Sequence, residues 1–163
     1  MNALFEQAID EATEAGNKAG TEWLFARISG KYVVNVGSDR IYLTDLQGNK
    51  VNPMLDACGG AYINLYDRRT SFARYLKKKH AERQIWSVPI NHKFGGWQDM
   101  GLKEAVIKAA TDVLKNKYGI TNTRHYTAKT AKTGNSTSPE RRRVGSGYSK
   151  RPTWWWRRQY VGS

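Results

Sequence analysis

The chain has 163 residues, enough for one domain with a real core and an additional tail, and its 39% hydrophobic content is low for a chain that is globular throughout. Lys and Arg number 27 against 14 Asp and Glu, a net charge of +13 whose self-repulsion a polyanionic partner would relieve. The single cysteine, Cys58, excludes an intramolecular disulfide, and no apolar run reaches the roughly 18 residues needed to cross a bilayer.

The N-terminal stretch MNALFEQAIDEATEAG places Leu4, Phe5, Ala8, Ile9, Ala12 and Ala15 at helical spacing, with Glu6, Asp10, Glu11 and Glu14 on other faces. It lacks the basic start and apolar run of a secretory leader. Gly16 is the expected stop of this first helix, and TEWLFARI reads equally as a further helical turn or as the entry to a strand. YVVNV and RIYLT are expected strands joined through Gly37, Ser38 and Asp39, and Gly48–Asn49 marks a second turn before Pro53. AYINLYD alternates cleanly. Ala61, Ile63 and Leu65 share one face, and Tyr62, Asn64 and Tyr66 share the other.

TSFARYLKKKH is an expected short helix with Phe72, Ala73 and Leu76 inward and Arg74, Lys77 and Lys78 outward. RQIWSVPI reads as a strand, with Pro89 arguing for an edge or a strand end. The clearest helix runs from about Asp99 to Tyr118, with Leu102, Ala105, Val106, Ala109, Ala110, Val113 and Leu114 as its apolar stripe. Asp99 suits its N-cap and Gly119 the position past its end. A last short strand is expected near RHYTA. The order α–β–β–β–α–β–α–β implies an α+β fold, a mainly antiparallel sheet with two or three helices on one face, over residues 1–128. Residues 129–163 change composition to polar, small and basic, and are expected to form a flexible tail, since they cannot bury enough apolar surface to fold alone.

The segment MLDACGGAYINLYDRRTSFARYLKKKH, with the later FGGWQDMGLKEAVIKAATDVLKNKYGI, resembles a group of small phage-encoded proteins of unknown function. The shared features are a Cys-Gly strand, a helix of the pattern S-F-A-x-x-L-K-K, and an Ala-rich helix ending in a Gly-Ile step. The resemblance covers residues 54–120. It implies a phage origin and a compact α+β domain and carries over no catalytic residue; with the lone cysteine and the lack of a leader or bilayer-crossing run, the expected location is the host cytoplasm or a virion interior.

Charge is concentrated late in the chain: 5 bases and 8 acids in residues 1–60, 12 and 5 in 61–120, and 10 and 1 in 121–163. Arg68, Arg69, Arg74, Lys77, Lys78, Lys79 and Arg83 fall in one window with Glu82 as the only acid, and are candidates for phosphate contact. The alternative for these residues is an ordinary solvated helix face. In the tail, Arg141, Arg142, Arg143, Lys150, Arg151, Arg157 and Arg158 interleave with Tyr148, Trp154, Trp155 and Trp156, with Tyr160 beyond. Guanidinium forks pair with phosphates and indoles stack on bases, so this stretch fits a nucleic acid, DNA or RNA, bound without sequence preference. The same tryptophans also fit a protein groove, which leaves open an interaction protein binding a phage or host partner. An anionic membrane surface is a weaker third reading. Tyr62 and Tyr66 read either as stacking platforms on an open sheet face or as rings packed under a helix.

Enzymatic readings are thin. His80, His92 and His125 have no metal-ligand spacing, GSD at 37–39 and GGW at 95–97 lack the lysine of a phosphate loop, and no cofactor is expected. Cys58 beside two glycines reads as a small buried residue rather than a nucleophile. Asp67, Glu82, Asp99 and Glu104 are candidates for a metal-dependent nuclease site by count only.

Overall fold

In the computed structural model of the chain, which describes residues 1–81 and 87–129, the first helix does not stop at Gly16. Helix α1 spans Asn2–Ile28, and its buried positions Phe5, Ala8, Ala12, Gly16, Gly20, Leu24 and Ile28 succeed one another at steps of three or four. The glycines thus belong to the inward stripe. They permit close approach. A Cβ at Gly20 would lie 2.4 Å from Phe94 Cε2 and 2.8 Å from Val106 Cγ2, and one at Gly16 would lie 3.0 Å from the Val106 carbonyl oxygen. TEWLFARI is therefore helical, and the chain leaves α1 through two left-handed residues, Ser29 (φ 45°) and Gly30 (φ 73°).

The expected hairpin follows as β1 (Val33–Val36) and β2 (Ile41–Thr44), antiparallel, with Gly37 donating its N–H to the Arg40 carbonyl. A two-residue strand not expected from the sequence, β3 (Lys50–Val51), pairs with β2. The turn between them is held by Asp45, whose Oδ1 accepts from the backbone of Gln47 and Asn49, while Gly48 takes φ 87°. After β4 (Gly59–Leu65) come α2 (Ser71–Lys79), β5 (Ser87–Val88), α3 (Met100–Asn116) and β6 (Thr123–Lys129).

The fold is α+β, but its strands divide into two antiparallel sheets, ordered β1-β2-β3 and β5-β4-β6, rather than one. Helices α1 and α3 pack along each other, and α3 also covers β4 and β6. One core cluster joins Phe5, Ala8 and Ala12 of α1 to Ile63 and Leu65 of β4, Phe72 and Leu76 of α2, and Ile107, Ala110 and Leu114 of α3. The other joins Leu24 and Ile28 to Ile41, Leu43, Phe94, Trp97, Leu102 and Val106, and so fastens the β1–β2 hairpin to the far end of α1. Phe5 meets Phe72 edge-to-face at 5.2 Å between centroids, which locks α2 onto α1.

Asp99 stands at the N-cap of α3, yet its side chain does not cap that helix. Its Oδ1 accepts from the backbone N–H of Leu55 and Asp56 at 2.7 and 2.8 Å, and Asp56 Oδ2 accepts in return from Gly101 at 2.9 Å. The segment before β4 is thereby pinned to the start of α3. At the other end of α3, Gly119 has φ 64°, and the N–H groups of Gly119 and Ile120 close the carbonyls of Lys115 and Leu114.

Candidate functional site

Helix α2 presents the basic cluster. Its N-cap, Thr70, accepts from the Ala73 N–H, and Phe72, Ala73, Tyr75 and Leu76 are buried. With that face inward, Arg74, Lys77 and Lys78 project together at i, i+3 and i+4 and are exposed. Lys77, Lys78 and Lys79 form the last turn, where the helix dipole favours cations.

The cluster is not uniform. Lys79 turns back to α1, with its Nζ 3.2 Å from Glu6 Oε1 and 3.2 Å from the Tyr75 hydroxyl, which also bonds Glu6. The bond from Lys79, joined by that of Tyr75, holds the Glu6 carboxyl below its ordinary range, and Tyr75 and Glu6 raise the Lys79 ammonium. Arg69 is matched locally: Asp67 Oδ1 accepts from its backbone N–H at 3.0 Å and from its Nε at 3.3 Å, and the backbone bond leads in lowering the Asp67 carboxyl. Arg68 and Arg69 lie in the turn before the N-cap and are exposed. Arg74, Lys77 and Lys78 form no salt bridge among the described residues. Their charge is answered by no carboxylate among the described residues. Arg83 and the predicted tail residues from Arg141 to Arg158 lie outside the described residues.

A second surface is built by the β5-β4-β6 sheet. Ala61, Ile63 and Leu65 face the core, as their alternation requires, and Tyr62 and Tyr66 face away. No helix among the described residues covers that face: Tyr62 is 43% exposed, Tyr66 65% and Tyr126 41%. The register sets Tyr62 opposite Tyr126 and Asn64 opposite Arg124 on β6, with Ser87 of β5 on the other side of Asn64. The Tyr62 and Tyr126 rings stack at 5.9 Å between centroids with 17° between planes. The Tyr66 hydroxyl donates to the Thr121 carbonyl at 2.5 Å, steadying the end of the row. Tyr126 and Arg124 join this face only through the strand register, which brings them beside Tyr62 and Asn64. The signal in the sequence was the R-x-Y alternation of RHYTA.

His92, Cys58, Asp67 and Asp99 have partners within the fold. His92 accepts at Nδ1 from the Phe94 N–H, and burial followed by the nearby Lys103 charge lowers its pKa. It lines a cleft of about 410 Å³ with Arg40, Lys93 and Trp97, where Lys93 Nζ is bonded to the Gly37 carbonyl and Trp97 Nε1 to that of Ile41. Cys58, expected to be buried, is half-buried, and its Sγ lies 3.6 Å from Gln98 Oε1. Asp67 and Asp99 are engaged as described, Glu82 lies outside the described residues, and no three His, Cys, Asp or Glu among the described residues converge on a metal-sized site. No described helix is long and apolar enough to cross a membrane. No family model, curated protein or solved structure matches the chain.

Proposed function

We propose that the chain binds nucleic acid through its sugar–phosphate backbone, without sequence preference. The observation that carries this reading is the outward face of α2: Arg74, Lys77 and Lys78 side by side, exposed and without a salt bridge among the described residues, in a chain of net charge +13. The helix dipole explains why Lys77 and Lys78 are tolerated at the end of α2, but it leaves their charge, and that of Arg74, available to phosphate. Arg68, Arg69 and Lys79 border the trio in sequence, with Arg69 bonded to Asp67 and Lys79 to Glu6. The composition of residues 141–158, arginines among tryptophans, supports a second contact region of the same chemistry. The resemblance of residues 54–120 to phage-encoded proteins supports action in the host cytoplasm or within a virion.

The test is the triple substitution Arg74→Gln, Lys77→Gln and Lys78→Gln. These side chains point to solvent, so the unfolding midpoint is expected to stay near wild type. Affinity for an oligonucleotide at low salt falls, and the slope of log K against log salt flattens by about two to three units, one for each lost phosphate contact. Unchanged affinity and slope would remove α2 from the interface.

A further inference from the structure

Resting on that reading, we infer that the open face of the β5-β4-β6 sheet is a stacking site for unpaired bases, so that the protein prefers single-stranded to duplex nucleic acid. Tyr62 and Tyr126 stand side by side, each about two-fifths exposed, on a face that no described helix covers. Their centroids are 5.9 Å apart, too close for a base to enter between them, so bases meet the ring surfaces left open to solvent.

The chemistry of the row favours a nucleic acid over an apolar protein partner. The outward positions of β4 and β6 supply tyrosines, Asn64 and Arg124, with no aliphatic side chain larger than alanine. The fully buried core of a protein interface, although it too takes Tyr and Arg, is more apolar than this row. The three strands contain no Asp or Glu, and Arg124 lies on the row itself opposite Asn64, so phosphates running along the row meet a cation and no carboxylate of the strands themselves. A duplex keeps its base faces stacked inside the helix. Only unpaired bases can offer them to tyrosine rings.

The cross-strand tyrosine pair also stabilises the sheet, so the test separates ring chemistry from folding. The full chain is titrated with fluorescent oligo-dT and oligo-rU of about 20 nucleotides and with a duplex of similar length. Wild type is expected to bind at least one single strand about tenfold or more tightly than the duplex, and the tighter oligomer identifies the sugar the site takes. Tyr62→Leu with Tyr126→Leu should lose about tenfold or more of single-strand affinity while duplex binding and its salt dependence stay unchanged. Tyr62→Phe with Tyr126→Phe keeps the rings and should retain the single-strand preference. Equal single-strand affinity of the leucine pair and wild type would overturn the inference while leaving backbone binding intact, and would assign the face to a protein occupant. An equal loss in the phenylalanine pair, or no preference in wild type, would overturn it too. Absence of binding to every oligomer at low salt would instead remove the proposed function itself.

Discussion

Gly20 shows how one residue sets the distance between two helices. Alanine is the better helix former by about 1 kcal/mol, so propensity alone favours Gly20→Ala. The added Cβ, however, would sit 2.4 Å from a ring atom of Phe94, a fully buried side chain. Overpacking should win, and Gly20→Ala is expected to destabilise the domain by about 1–3 kcal/mol in urea or thermal unfolding. Gly96→Ala, where nothing lies within 4 Å of the new atom, should change stability little. Glycine marks both a helix end and a close approach, and at Gly16 the local sequence points to the former while the fold uses the latter. The distinguishing signal, the run Ala8, Ala12, Gly16, Gly20, Leu24, Ile28 at four-residue steps, was present in the sequence. The role of Asp99 was half legible: its position before α3 is correct, but its carboxylate serves the backbone of Leu55 and Asp56, more than forty residues away. No local pattern contains that.

At the scale of elements, α1 is anchored to its neighbours by two surface pairs, Glu6 with Lys79 of α2 and Glu11 with Lys117 just beyond α3. Hydrogen bonding from these lysines, first among the causes, holds both carboxyls below the ordinary glutamate value, about 4.3. The unfolded chain therefore binds more protons in the acid range. Stability from these pairs is complete above that value and is lost as pH falls through the lower folded one. Thermal midpoints should drop on acidification below about pH 4.3, and Glu6→Gln with Glu11→Gln should blunt that drop. An identical acid limb in the variant would contradict the assignment. Alternation and helical spacing were enough to locate most elements and to turn Tyr62 and Tyr66 outward. The pairing of Tyr62 with Tyr126, the diversion of Lys79 to Glu6 and the division into two sheets depend on register and long-range packing, which a one-dimensional pattern does not encode.

Across the whole molecule, charge is separated along the chain. The N-terminal third is mildly acidic, and part of its acid is spent on lysines of the basic middle, as Glu6 and Glu11 show. What remains among the described residues is a trio on α2 without a salt bridge and an exposed aromatic sheet face carrying Arg124. Such a surface should hold a polyanion mainly by releasing condensed counterions, and affinity should track salt accordingly. The most direct measurement is the affinity of the full chain for an oligonucleotide from about 50 mM to about 500 mM monovalent salt. The account predicts a linear fall of log K with log salt, with a slope of about −3 or steeper. A flat line, or no binding at the lowest salt, would contradict it.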